Sequence, residues 1–213
     1  KDVFSKNGCT LGHGCDMPEE DPPDLPAPVE LYGTFRLDAL TAMFLEDKTG
    51  IRMHSLRNQS ERSIVRWQAE MQVASDSLVL CRKNRTVIAM AMADDKLMIV
   101  GGDKIKAQLR SKRWDKSDTT PFGGYAQTLS DAEFEQVVQL LGARSITISD
   151  FSSRSDVSVV STVHQCKGFE CDHVALHKEL LDVEEEDGRA ILFVAMSRHR
   201  RTLTFLELSL IHI

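Results

Sequence analysis

The chain has 213 residues, 42% hydrophobic and 27% charged, with a formal net charge of −6, which is the composition of a globular domain with one real core. Bulk electrostatic attachment to nucleic acid is excluded, because a chain held that way is basic, so any nucleic-acid contact has to be local. The longest apolar runs, "SIVRW", "LVLC" and "ILFVAM", are far too short to span a bilayer, and "KDVFSKNGCT" lacks the apolar core of a secretory signal, which together predict an intracellular protein without membrane partners.

In chain order, residues 1–29 carry "MPEEDPPDLPAP", a proline- and acid-rich stretch read as a linker or long loop. Cys9, His13 and Cys15 there lack a second ligand pair of standard spacing, so the polar-loop reading is preferred and no metal site is assigned. The five cysteines, at 9, 15, 81, 166 and 171, are an odd number and scattered, the pattern of reduced thiols. "RLDALTAMFLED" predicts a helix with Leu37, Leu40, Phe44 and Leu45 on one face. "SLVLCRK" predicts a buried strand, "NRTVIAMAMADD" a helix capped by Asn84, and "KLMIVGG" a second strand, together one βαβ unit and hence a parallel sheet.

Residues 102–129 read as a polar excursion containing the basic cluster "KIKAQLRSKRWDK" (104–116). "SDAEFEQVVQLLG" is a strongly marked helix: Ser130 and Glu133 form a capping box, Phe134, Val137, Val138 and Leu141 a stripe, and Gly142 a stop. "SITIS", "VSVVSTV" and "HVALH" predict strands. "EEEDGRAILFVAMSRHR" predicts a helix with acids at its start and cations at its end, as the macrodipole favours, and "RTLTFLEL" a last strand. The sum is an α/β domain with a mostly parallel sheet and helices on both faces. The last residues, 208–213, "LSLIHI", can be written in codons that resemble a transposon-based sequencing adapter and are read as a scar.

Chemistry concentrates in "TVHQCKGFECDHVAL" (162–176). In open parallel sheets ligands gather at the carboxyl ends of the strands, where Thr162 and His164 are delivered. Gly168 permits a turn or close backbone approach, and Glu170 is an acceptor suited to a sugar hydroxyl. One loop is thereby able to serve two ligands.

This segment resembles motif V of the UvrD/Rep-like superfamily-one helicases, Thr-x-His-x-x-Lys-Gly-x-Glu followed by a strand. "ILFVAMSRHRRTLTFLEL" resembles motif VI, and "LYGTFRLDALTAMF", with Phe35-Arg36, resembles motif IV. The resemblance spans about residues 30–207 and implies the second RecA-like domain of an ATP-dependent DNA helicase, with Mg²⁺ and ATP shared with a first domain. No Gly-x-x-x-x-Gly-Lys-Ser/Thr occurs in this sequence, so the Mg²⁺ ligands and the phosphate cradle are expected on that missing domain, and this chain alone is expected to be inactive.

The resemblance further implies that Arg198 and Arg36 act as γ-phosphate arginines, that Gly168 and Glu170 serve the nucleotide, and that Thr162, His164 and Lys167 touch single-stranded DNA, RNA not being excluded. His173, His177 and His199 are read as structural. Ser197 stands where Thr is commoner, and the stretch between Gly102 and motif V is too short for the large accessory domain many relatives insert there. Two other readings are a non-enzymatic nucleic-acid-binding or regulatory module with this fold, and the helicase arm of a helicase-nuclease.

Overall fold

The computed structural model describes residues 33–34, 37–56, 64–68, 75–154, 156–181 and 186–206. Arg36, the 1–29 segment with its Cys9–His13–Cys15 cluster and the 208–213 tail lie outside the described residues.

Strands β1 (Gly33–Thr34) and β2 (His54–Ser55) form a small parallel pair around helix α1 (Ala39–Thr49). The remaining elements are β3 (Ile64–Gln68), β4 (Ser77–Cys81), α2 (Asn84–Ala93), β5 (Met98–Val100), α3 (Gly102–Trp114), α4 (Pro121–Thr128), α5 (Asp131–Ala143), β6 (Ser145–Ile146), α6 (Ile148–Ser152), β7 (Val159–Thr162), β8 (Cys171–His177), a 3₁₀ turn (Lys178–Leu180), α7 (Glu186–Met196) and β9 (His199–Leu206). They build a seven-stranded sheet in the order β3-β9-β8-β4-β7-β5-β6, parallel at every described pairing.

Parallel sheets are covered on both faces, so their strands read as continuous apolar runs. Every residue of β4 is buried. Leu78 and Leu80 join one core with Leu45, Phe151, Leu192 and Ala195, whereas Val79 and Cys81 point to the other, with Val87, Ile88, Ile105 and Leu141. The α/β arrangement expected from the sequence is thus present, with β7 inserted between the β4 and β5 of the predicted βαβ unit.

Several local expectations are corrected. Helix α1 starts at Ala39 because Asp38 caps it, its carboxylate accepting from Thr41 N–H at 3.0 Å. Its buried face is therefore Thr41, Ala42, Leu45 and Thr49, leaving Leu40 59% exposed and Leu37 ahead of the helix. Lys83, not Asn84, is the N-cap of α2, and its side chain contributes no cap. Instead Glu179, from the 3₁₀ turn, accepts from the N–H groups of Arg82 (2.6 Å) and Lys83 (3.2 Å) and from the Thr86 hydroxyl (2.8 Å).

The 102–129 excursion is two packed helices, α3 and α4, whose buried apolar residues are only Ile105, Leu109 and Ala126. Gly102 allows the close approach of α3 to α5, since a Cβ there would sit 2.5 Å from Leu141 O. Helix α5 has its capping box and stripe as read but runs through Gly142 to Ala143. Only Ser145–Ile146 of "SITIS" is strand, and β3 was not foreseen. Helix α7 ends at Met196, so His199 and Arg200 belong to β9 rather than to a helix terminus.

Two outcomes follow for stability. Glu179→Ala strips a charged acceptor from the start of α2 and is expected to lower the unfolding free energy by about 2 kcal/mol, read as a lower urea midpoint at unchanged m; an unmoved midpoint refutes the clamp. His177 is buried, its Nδ1 accepts from Glu179 N–H at 3.3 Å and its Nε2 has no hydrogen-bond partner. Burial pushes its pKa below the ordinary 6.5. The unfolded chain therefore binds that proton more tightly, so the His177 contribution is complete above about pH 6.5 and is lost as pH falls below it. Thermal melts from pH 7.5 to 5 on wild type and His177→Gln check this, the variant losing less on acidification.

Candidate functional site

Strand β7 ends at Thr162, opposite Cys81 at the end of β4, and the next N–H, of Val163, still donates to Cys81 O at 3.1 Å. Thr162 and His164 are therefore at the carboxyl edge of the sheet. Thr162 is buried, and His164 and Lys167 are exposed. With Arg82 from the end of β4 and Asp187, Ala190 and Ile191 from α7, His164 and Lys167 line an open cleft of about 410 Å³.

From Thr162 the chain returns toward the amino edge, where β8 begins at Cys171. The return is a chain of tight turns. Gln165 N–H donates to Thr162 O (3.1 Å), Lys167 N–H to His164 O (3.4 Å) and Phe169 N–H to Cys166 O (3.1 Å). This three-residue period sorts the side chains as a 3₁₀ turn does. Val163, Cys166 and Phe169 pack on the core, Phe169 with its ring 5.6 Å from that of Phe151, while His164 and Lys167 are exposed and Glu170 half-buried. Gly168 has φ +88° with open space around it, so its role is conformational: a side chain would fit but the backbone would be strained.

At the amino edge Glu170 pairs with Arg200, Nε to Oε2 at 3.3 Å. Arg198 sits in the turn between α7 and β9 and is only 7% exposed. Its Nε donates to Val194 O (2.9 Å), Nη1 to Phe169 O (3.4 Å) and Nη2 to Ser197 Oγ (2.9 Å), and its own carbonyl accepts from Cys171 N–H (2.9 Å). The guanidinium is thus turned inward, bracketing the C-terminus of α7 to the far end of the loop, rather than projecting from the domain.

The structure therefore brings His164 and Lys167 into one cleft beside the end of β7 at Thr162, and at the far end of the loop, past Gly168, sets Phe169 O on Arg198 and Glu170 on Arg200. Arg82 and Arg200 were missed as neighbours of these sets. Arg82 had a signal: the predicted strand "SLVLCRK" runs through it, but a charged residue at the end of a buried apolar run marks the place where the strand emerges at the ligand edge, and β4 does end at Cys81. His199 is structural, its Nδ1 2.6 Å from Met196 O. Among the described residues no group of three His, Cys, Asp or Glu could hold a metal. Cys81, Cys166 and Cys171 are free, buried thiols, and burial pushes Cys166 up to about 11, so these are inert protonated groups. No helix among the described residues is long and apolar enough to cross a membrane.

Comparison with known proteins adds the family. Residues 95–207 match the viral superfamily 1 RNA helicase core domain. Seventeen solved chains match; one is the C-terminal domain of a possible DNA helicase from Lactobacillus plantarum WCFS1, 18% identical, covering 80% of this chain and 85% of that one at a TM-score of 0.32. No curated protein sequence matches. The matched segment is more than half of the 213 residues, so the chain belongs to the viral superfamily 1 RNA helicase core domain family.

Proposed function

We propose that this chain is the second motor domain of a UvrD/Rep-like, ATP-dependent helicase. It contributes arginines and single-strand contacts to a cleft shared with a separate RecA-like domain that carries the P-loop. The observation that supports this most is the Val163–Glu170 loop, which takes residues suited to two different ligands to two different edges of one sheet.

At the carboxyl edge Thr162, His164 and Lys167 are the nucleic-acid contacts, with Arg82 in the cleft that His164 and Lys167 line. A hydroxyl, an imidazole and an ammonium donate to phosphate oxygens and position a strand without reading its bases. Single-stranded DNA fits the motif resemblance, and RNA fits the family description; the 2′-hydroxyl is what separates them. At the other end of the loop Glu170 accepts from a ribose hydroxyl, Gly168 leaves the backbone accessible, and Arg198 serves the γ-phosphate, where a planar fork of donors matches phosphate oxygens; Arg36, outside the described residues, is the second γ-phosphate arginine of this reading. The Mg²⁺ ligands belong to the partner domain in this reading.

Arg198 cannot hold its present acceptors and a phosphate with the same N–H groups. Turning toward phosphate releases Phe169 O, the carbonyl next to Gly168, so engagement of the arginine and anchoring of the loop are alternatives. That exchange is the coupling device of the proposal: nucleotide contact at one edge loosens the loop that holds His164 at the other.

The inward Arg198 also favours a second reading, a non-enzymatic nucleic-acid-binding module in which this arginine is only a bracket. The two separate on measurement. The chain alone is expected to show no ATP hydrolysis. With a P-loop domain supplied, Arg198→Ala is expected to lower turnover by roughly 10³ or more, with Arg198→Lys failing to rescue and single-strand affinity no longer responding to nucleotide. His164→Ala is expected to weaken the strand and spare basal turnover. Thermal melts accompany these assays, because losing the Arg198 bracket should also cost about 1–3 kcal/mol of stability. Near-normal turnover in Arg198→Ala leaves the module reading in place.

A further inference from the structure

Helix α3 is not used by the site above, and its surface has an unusual composition for this chain. Its Gly102–Trp114 segment holds five cations, Lys104, Lys106, Arg110, Lys112 and Arg113, against one acid, Asp103, in a chain whose formal charge is −6. Only Gly102, Ile105 and Leu109 are buried. Lys106, Arg110 and Trp114 follow at four-residue steps, which places them along one helical face. Trp114 is 80% exposed, more than any other large apolar side chain among the described residues.

The aromatic end of this face is built rather than loose. Arg113 is 5.9 Å from the Trp114 ring and 5.1 Å from the Phe134 ring, and it is fixed by Ala126 O and by Asp131 at 2.6 Å. Arg110, Arg113, Trp114 and Phe134 line an open cleft of about 600 Å³ together with Asp131 and Glu135. Asp131 is already neutralised by Arg113, which leaves Glu135 as the one other acid on the cleft. Lys112 is drawn away to Asp118. Lys106 and Arg110 have no ion-pair partner among the described residues.

We propose that the Lys106–Arg110–Trp114 face of α3 is a second binding surface for single-stranded nucleic acid, separate from the motif V cleft. The cations meet phosphates, and an unpaired base stacks on the exposed indole. The occupant is identified by that pairing of chemistries. A row of cations alone would suit any polyanion, but an exposed indole beside guanidinium groups is a stacking platform, and stacking needs a base that is not already paired. The inference uses the nucleic-acid half of the proposed function but none of its residues.

The test uses the chain with Trp67→Phe, which leaves Trp114 as its single tryptophan, and a 20-nucleotide oligothymidylate. Saturable quenching of Trp114 emission is expected, with anisotropy of the labelled strand giving affinity. Trp114→Ala should weaken binding about tenfold and Trp114→Phe should retain most of it. Lys106→Ala with Arg110→Ala should reduce the log–log salt slope by about 1.4, two phosphate contacts at about 0.7 each. If Trp114 emission is indifferent to the strand while His164→Ala weakens binding, the α3 surface is wrong and the motif V reading stands. If the α3 variants weaken binding while His164→Ala does not, the α3 surface stands and the motif V assignment fails. Equal quenching by polyglutamate of matched charge overturns the proposal in favour of an acidic polypeptide partner.

Discussion

The return of the chain from the end of β7 to the start of β8 is the constraint on which the site depends. Parallel strands cannot be joined by a tight turn, so the connection has to travel the whole height of the sheet. Here it does so in residues 163–170 without an α-helix. A five-residue strand such as β4 rises about 16 Å at ~3.3 Å per residue. The loop covers that height in turns over residues 163–168, with Gly168 at φ +88°. The three-residue spacing of its Gln165, Lys167 and Phe169 hydrogen bonds is what sets its side chains in rows. His164, Lys167 and Glu170 form the outward row because Val163, Cys166 and Phe169 have to be the inward one.

Helix α7 makes the same journey beside it. Eleven residues, Glu186–Met196, at ~1.5 Å each again give about 16 Å. Its first turns meet His164 and Lys167 through Asp187, Ala190 and Ile191. Its end meets Phe169 through Arg198. Loop and helix are thus tied at both edges, and neither can shift along the sheet without straining the other. A domain that has to pass a change at one edge to the other needs this property, and close packing of Val163 and Cys166 beneath it makes the response stepwise rather than soft.

Much of this was legible from residue order. The run "SLVLC" could only be a strand buried on both faces, and Ser130 with Glu133 could only open a helix, because both signals are local. The edge positions of Thr162 and His164 followed from the strand alone. What was not legible depended on distant partners. Asn84 has the better intrinsic capping side chain, yet Lys83 holds the cap position, its carbonyl accepting from the Thr86 and Val87 N–H groups, while Glu179, almost a hundred residues away, anchors the Arg82 and Lys83 N–H groups just ahead of the helix. Helix α3 was hidden because two buried residues, Ile105 and Leu109, suffice to dock it when Gly102 lets it lie against α5. The inward turn of Arg198 was invisible for the same reason, since its acceptor Phe169 O is set by the loop's turn geometry and not by any neighbour in sequence.

The charge distribution follows from these placements. A formal charge of −6 repels a polyanion at long range, but at physiological ionic strength that field decays within about 8 Å. Beyond that distance an acidic total says little, and within it the local set decides. Arg82 and Lys167 at the carboxyl edge each lie in a cleft whose lining holds one acid, Asp187, while Arg200 and Arg201 at the other edge are matched by Glu170 and Asp172. The cleft at the carboxyl edge is thus lined by two cations and one acid, with Glu179 held on the Arg82 and Lys83 N–H groups beside it, and the two cations at the other edge are each paired with an acid. In the proposed reading a strand is therefore held by the local set of side chains it meets and not by the total charge of the chain.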